Sequence, residues 1–383
     1  MKIELTAQQK QWQAEFRAFV QEVIVPQAEH NDRNEYTPPE LIKRIARAGY
    51  LGAIIPQEYG GLGLDMITFG LLNEELGRGC SSIRSLLTVH SMVAHTILKW
   101  GSKQQKDIWL PRLATGETIG AFGLSEPNVG SDAKSVETSV TYTGDACILQ
   151  GRKKWITYGQ IADLFLIFAR QETKVSAFLL ERDTPGFSTE AIKGIYGTRA
   201  SMLAELHLDG CTIPKGQLIG GKGFGLVVAT AALDIGRYSV AWGCVGIAQA
   251  CLEAVLRYTS EREQFGVLLR EHQLIQQMVT DMLTNVKAAR LLCAQAGYLK
   301  DSGDPGTIME TWIAKYFAST SAVKIANDAV QIHGANGCSA DYPVQRYLRD
   351  AKIMEIIEGS NQIQQITIAQ YGYQNQQIPV AVQ

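Results

Sequence analysis

The 383-residue sequence is marked first by what it lacks. Its 36 basic and 38 acidic side chains leave a formal net charge of −2, so no excess of either sign draws it to nucleic acid or an anionic membrane. Seven scattered cysteines (80, 147, 211, 244, 251, 293 and 338) include no Cys-x-x-Cys pair. That excludes a disulfide framework and leaves reduced thiols, with the cytoplasm as the expected compartment. None of the six histidines stands at ligand spacing from another His or Cys, so no metal is expected. No Gly-x-Gly-x-x-Gly occurs, and with it goes the Rossmann fingerprint. "GQLIGGKG", residues 216 to 223, starts like a phosphate-binding loop but has Gly223 where Ser or Thr should hold a metal ion. It reads as a turn between domains. Internal repeats and low-complexity segments are also missing. The most apolar tract, 224 to 256, is broken by Asp234 and Arg237, so a buried helix is expected rather than a membrane span. The N-terminal stretch has the spacing of an amphipathic helix, not the continuous apolar core of a leader peptide.

What is present falls into three textures. Residues 1–118 carry apolar side chains at three- and four-residue spacing, as in "PELIKRIARAGYLGAI" and "ITFGLLNEELGR", and predict helices. Residues 119–222 turn to short β-rich runs, "ADLFLIFAR" and "VSAFLLER", and to a Thr-Gly-Asp turn within "SVETSVTYTGDACILQGRKKWIT". From 223 to 383 the helical period returns in segments long enough for a bundle. An α+β chain is expected: a helical N-terminal domain, a middle β domain and a C-terminal four-helix bundle.

Several short stretches carry candidate chemistry, each with an ordinary alternative. "AFGLSEPNVGSD" (121–132) offers hydroxyls and unhindered backbone at Ser125, Gly130 and Ser131, suited to a cofactor's ring edge or phosphate, or else it is a polar loop. "GRKKWITYG" places Trp155 and Thr157 two apart, on one face if this is a strand; a tryptophan there also suits a core. "SEREQFG" sets Arg262 and Phe265 at i, i+3, a phosphate and ring contact or a surface pattern. "QIHGANG" (331–337) closes a helix with Gly334. "AKIMEIIEGSNQIQQITIAQ" (351–370) sets Glu358 immediately before a Gly359-Ser360 break between two helical patterns.

In this order and at these separations the blocks "GLSEPNVGSD", "KKWIT", "REQFG" and "QIHGANGCSADYPVQRYLRDAKIMEIIEGSNQIQ" resemble the acyl-CoA dehydrogenase family, over nearly the whole chain. The resemblance implies an α/β/α three-domain fold, bound FAD and a homotetramer or dimer. It implies FAD contacts from Phe122, Leu124, Ser125, Gly130, Ser131, Trp155 and Thr157, and contacts to a neighbouring subunit's FAD from Arg262, Phe265, Gln331 and Gly334. Ser360 and Gln362 match further FAD positions, and Ser131 and Arg237 are expected near the substrate. Glu358 falls where most of the family keeps its catalytic base; the other known position, just before Arg237, is Gly236 here and cannot serve. The base would take the α-proton of an acyl thioester while a hydride leaves the β-carbon. A free glutamate is too acidic for this, and Ile356 and Ile357 would raise its pKa if they helped to bury it. In the family the base's own N–H helps polarise the thioester oxygen.

Some positions depart from the family. Ala335 replaces a second glycine, and Tyr158, after "WIT", is expected to narrow the flavin edge. The segment "CSSIRSLLTVHSMVAH" (80–95) is similar to a branch that oxidises short α-hydroxy- or α-aminoacyl groups on an acyl carrier protein, supplying hydroxymalonyl or aminomalonyl extender units. Ser81, Ser82, Ser85 and His90 would suit such a polar acyl group. The alternatives are catabolism of free CoA thioesters and a flavin-binding homologue without activity, which an intact Glu358 argues against. The electron acceptor would be a flavoprotein or oxygen.

Overall fold

The computed structural model describes residues 4–375; the predicted outer ends, 1–3 and 376–383, lie outside the described residues. The N-terminal layer is helical: α1 (Ala7–Phe19), α2 (Val25–Asn34), α3 (Pro39–Arg47), α4 (Met66–Gly79), α5 (Ser81–Trp100) and α6 (Lys103–Thr115). Local chemistry starts these helices. Thr6 with Gln9, and Ser102 with Gln105, form reciprocal capping boxes, and the Asp65 carboxylate accepts from the Thr68 N–H at 2.8 Å. One π turn, Val20–Ile24, joins α1 to α2.

The middle layer holds β1 (Gly120–Gly123), β2 (Ser139–Thr143), β3 (Ala146–Ile156), β4 (Leu164–Gln171), β5 (Lys174–Glu181), β6 (Phe187–Ala191), β7 (Ala204–Pro214) and β8 (Leu218–Ile219). The sheet order is β6-β7-β3-β2-β4-β5-β8, with β1 parallel to β4. The Gly144-Asp145 turn joins β2 to β3, with Gly144 at φ 55°. β4 and β5 are buried almost throughout, which explains their continuous apolar runs.

Gly220, Gly221 and Gly223, all at positive φ, turn the chain out of the sheet into α7 (Gly225–Glu261). A hairpin, β9 (Glu263–Gln264) and β10 (Val267–Leu268), precedes α8 (Gln273–Asp301), α9 (Thr307–His333), α10 (Val344–Met354) and α11 (Asn361–Asn375). α7 is long and apolar enough to cross a membrane, but 78% of its most apolar window is buried against the rest of the chain. It is the central helix of the core, as its interrupting Asp234 and Arg237 predict. Its glycines let neighbours reach its backbone: a Cβ on Gly246 would stand 2.0 Å from the Glu74 carbonyl of α4.

Candidate active site

Helix α10 ends at Met354, earlier than the Gly359 break predicts, and an irregular turn carries the chain to α11. The Ile356 and Ile357 N–H groups still reach back to Ile353 O, at 3.0 and 3.1 Å. Glu358 then enters the left-handed region at φ 57°, and Gly359 follows at 86°. A non-glycine residue there costs about 1 kcal/mol or more, and the surroundings hold it. Arg237 Nε donates to Glu358 O at 3.1 Å, and Gln364 Nε2 donates to Glu358 O and Gly359 O at 3.2 and 3.1 Å. Lys315 Nζ donates to Gly359 O at 2.9 Å. The Glu358 N–H meets no protein acceptor among the described residues.

The turn drives the Glu358 carboxyl against α7 where that helix has no side chain. A Cβ on Gly236 would lie 2.3 Å from Glu358 Oε2 and 2.9 Å from the Met92 sulfur. The two positions from which the family can supply its base therefore converge on one place, and glycine at 236 makes room for the carboxyl arriving from 358. Oε2 is buried without a hydrogen-bond partner among the described residues. Burial pushes the carboxyl up to about 7, while Arg237, Lys315 and Arg84 restrain the rise. A buried, unpaired carboxyl near neutral pKa has the properties of a general base. Ile356 does not bury it, being 57% exposed on the far side, in an open groove of about 470 Å³ with Tyr196, Val323, Leu348, Lys352 and Ile353. α5 and α7 bury the base instead.

Arg84 was not anticipated as a site residue. It is fully buried on α5, over Gly243, where a Cβ would stand 2.2 Å from its Cδ. Among the described residues its guanidinium has no carboxylate partner: Nη1 donates to Thr88 Oγ1 at 2.6 Å and reaches Ser239 Oγ at 3.5 Å, Nη2 approaches the Met354 sulfur at 3.4 Å, and Nε has no partner. Arg84, Thr88 and Met92 lie four residues apart on α5, on the face that meets Glu358. The serines and histidine expected to line the acyl pocket serve elsewhere. Ser85 bonds Ser82 O at 2.6 Å and Ser201 Oγ at 2.9 Å, while Ser81 and Ser82 are buried. His90 accepts from Gly120 N–H on Nδ1 and faces Leu113 O with Nε2, which therefore carries its hydrogen; burial pushes its pKa down to about 4. It ties α5 to β1 and α6.

In the middle domain, β1 and the loop after it present Phe122, half-buried and edge-on to Phe168 at 5.3 Å, then Leu124 and Ser125. Gly130 and Ser131 are exposed, with open space around Gly130. Trp155 and Thr157 do not share a strand face. The register shifts between Lys153 and Ile156, Trp155 flips to φ 65° with its indole 53% exposed, and Thr157 lies beyond the strand end. Tyr158, also at positive φ, does not narrow the site: it turns inward, fully buried, bonding Ser82 O and Thr37 at 3.1 Å each. The loop is pinned by a buried pair, Lys153 Nζ to Glu126 Oε1 at 2.7 Å, with Lys153 also donating to Phe168 O at 2.6 Å. The Lys154 N–H holds Ser125 O at 2.9 Å.

Arg262, Phe265, Gln331 and Gly334 form a separate group. Arg262 ends α7, 26 residues beyond Gly236, or about 39 Å along a helix rising 1.5 Å per residue. Phe265 and Gly266 are the two-residue turn of the β9–β10 hairpin, and the Phe265 ring is 97% exposed at its tip. Gln331 and Gly334 sit exposed at the end of α9, with Gly334 at φ 59°. Within one chain these four are too far along the helices to touch a ligand lying against Glu358. Ser360 and Gln362 open α11 beside the base; Ser360 Oγ accepts from the Ile363 N–H at 3.4 Å and Gln362 is exposed.

Three family models cover the chain: the acyl-CoA dehydrogenase N-terminal domain over residues 6–117, the middle domain over 121–211 and the C-terminal domain over 221–372. The chain belongs to the acyl-CoA dehydrogenase family. The mitochondrial short-chain specific acyl-CoA dehydrogenase of Rattus norvegicus is 39% identical over 359 residues, 92% of this chain and 87% of its own. A glutaryl-CoA dehydrogenase from Mycobacterium smegmatis, solved in complex with FADH2, matches with a TM-score of 0.92 and 30% identity over 96% of this chain and 95% of its own. FkbI, described as acting in biosynthesis of the methoxymalonyl extender unit of the Fk520 polyketide, matches with a TM-score of 0.88 and 34% identity over 94% and 99%. This acyl-CoA dehydrogenase is an FAD-dependent oxidoreductase of acyl thioesters. Its residues fit the cofactor: an uncovered indole at Trp155 suits a planar ring, and the exposed hydroxyl and open glycine backbone at 130–131 suit a pyrophosphate.

Proposed function

We propose that this enzyme dehydrogenates a short acyl thioester with a polar or anionic end, presented on an acyl carrier protein, such as an α-hydroxy- or α-aminoacyl group of an extender-unit pathway. Glu358 takes the α-proton onto its unpaired Oε2. Its own N–H, without a protein acceptor, is placed to donate to the thioester oxygen as negative charge builds there. FAD, held by Phe122 to Ser131, Trp155, Thr157, Ser360 and Gln362, supplies the acceptor for the hydride leaving the β-carbon. Arg237 holds the base turn through Nε, and its unpartnered Nη1 leaves a donor for the substrate. A base so placed contributes on the order of 10² to 10⁴-fold.

Arg84 carries the substrate reading. A buried guanidinium that no carboxylate hydrogen-bonds among the described residues costs several kcal/mol, only partly offset by the charges of Glu358 and Asp350, and an acyl carboxylate or hydroxyl bound against it would lower that cost. The similarity to FkbI supports the carrier-bound form. The rat short-chain relative favours a second reading, free CoA thioesters. Anaerobic mixing with a CoA ester and with the same acyl group on a carrier protein separates them by flavin bleaching. Bleaching with the carrier-bound group alone supports the first reading, and equal bleaching with both overturns it. Arg84→Leu should lose the polar acyl group in preference to butyryl. The exposed Phe265 supports a homo-oligomer, with a tetramer proposed, in which Arg262, Phe265, Gln331 and Gly334 meet the partner's cofactor; either an electron-transfer flavoprotein or oxygen closes the cycle.

A further inference from the structure

Behind the base turn lies a polar cluster that the reaction as described leaves unused. Lys315, on α9, is fully buried and pairs with no carboxylate among the described residues. Its ammonium donates to Gly359 O at 2.9 Å and to Asn361 Oδ1 at 3.2 Å. Asn361 Oδ1 also accepts from Ser319 Oγ at 2.9 Å, and Asn361 Nδ2 donates to Thr320 Oγ1 at 3.1 Å. Trp312, Lys315 and Ser319 share a face of α9, and the Trp312 ring supports the Arg237 guanidinium at 4.0 Å. One helix face thus reaches the two consecutive carbonyls that set the direction of Glu358: directly at Gly359, and through Arg237 at Glu358 itself.

We propose that Lys315 is the positioning residue of the base: its buried ammonium grips the Gly359 carbonyl from behind and keeps a fixed positive charge beside the ionised Glu358. This rests on Glu358 being the base. A neutral amide would satisfy one carbonyl at less desolvation cost, so the clamp alone does not call for a lysine. The charge adds a bias toward the carboxylate that the apolar pocket opposes. The charged and titratable groups around the pair are Arg237 and Cys244 on α7, Arg84 on α5, and Glu355 on the turn after α10. Burial brings Lys315 down to about 8 and Glu358 up to about 7, so both ions coexist around neutral pH.

The test is the pH dependence of anaerobic flavin reduction by an acyl thioester in the FAD-bound enzyme, together with stability. Lys315→Met and Lys315→Gln should both move the inflection of the base upward, by about one pH unit for a lost neighbouring charge, and Lys315→Arg should restore it. Independently of activity, Lys315→Met should cost more stability at pH 8 than at pH 5, and this pH-dependent part should vanish in the Glu358→Gln background. Where the Met variant fails to fold, the Gln variant makes the same comparison. An inflection that stays in place, or a loss equal at every pH in both backgrounds, reduces Lys315 to a structural anchor and overturns the proposal. Turnover retained by Glu358→Gln alone would instead overturn the base assignment beneath it.

Discussion

Replacing Glu358 with glutamine should stabilise the protein above neutral pH, although it removes the base. The carboxyl's pKa is raised by burial from its ordinary 4.5 to about 7. A raised carboxyl pKa means that the folded state prefers the neutral acid. Below pH 4.5 the group costs nothing in either state. Between 4.5 and about 7 the unfolded chain ionises while the folded protein keeps its proton, and stability falls as pH rises. Above 7 the full difference has been lost, about 2.5 units at 1.36 kcal/mol each, or about 3 kcal/mol. Glutamine has the same shape and no charge. The variant should gain about 1 to 3 kcal/mol over wild type at pH 8 and less than about 1 kcal/mol near pH 5, the lower figures allowing for its amide facing Met92 and Gly236. Denaturant unfolding of both proteins at the two pH values, with FAD in excess so that cofactor loss does not dominate, measures the difference. Other titrating groups cancel between the two proteins except Lys315, brought down to about 8 by burial and held up in part by Glu358, whose lost partner takes part of the gain at pH 8. A variant no more stable at pH 8 than at pH 5, relative to wild type, would mean that the nearby cations fully offset the burial of this carboxyl.

Gly236→Ala should put a methyl group where Oε2 lies and displace the base, lowering turnover on the order of a hundredfold while FAD stays bound; steady-state kinetics and the flavin absorbance check this. Lys153→Met leaves Glu126 charged in the interior and should cost about 3 to 5 kcal/mol, read in the unfolding midpoint, with weaker FAD retention as the Ser125 loop loosens. Phe265→Ala removes a 97% exposed ring, so it should leave the fold unchanged by circular dichroism yet weaken FAD retention on dilution, if that ring covers a partner's cofactor.

The parts that sequence made legible are those where local pattern and burial agree. β4 and β5 show as apolar runs because both their faces are covered, and the Glu358 turn shows because Gly359 and Ser360 interrupt two helical patterns. β7 was missed because its second half alternates buried residues with exposed Asp209, Gly210 and Thr212; β9 and β10 have two residues each. The site's cations were harder. Arg84, Lys153 and Lys315 sit in ordinary helix or strand patterns, where a long charged side chain reads as solvent-facing; only the packing of distant elements reveals that all three are buried. The likeness of segment 80–95 to a carrier-protein branch points its polar residues at the acyl pocket, but α5 is enclosed on most sides, and Ser85 and His90 serve the backbone groups and side chain they meet. Tyr158 turns inward, against expectation, because positive φ at 155 and 158 breaks the strand alternation, while the same break leaves Trp155 uncovered.

The most direct test of the central claim is to mix FAD-bound protein anaerobically with a short acyl thioester and follow the flavin absorbance, wild type beside Glu358→Gln. The wild type should bleach, and the variant should keep a bound flavin that stays oxidised. Equal bleaching in both would mean that another group takes the α-proton, and that the unpaired carboxyl at the Gly236 gap is not the base.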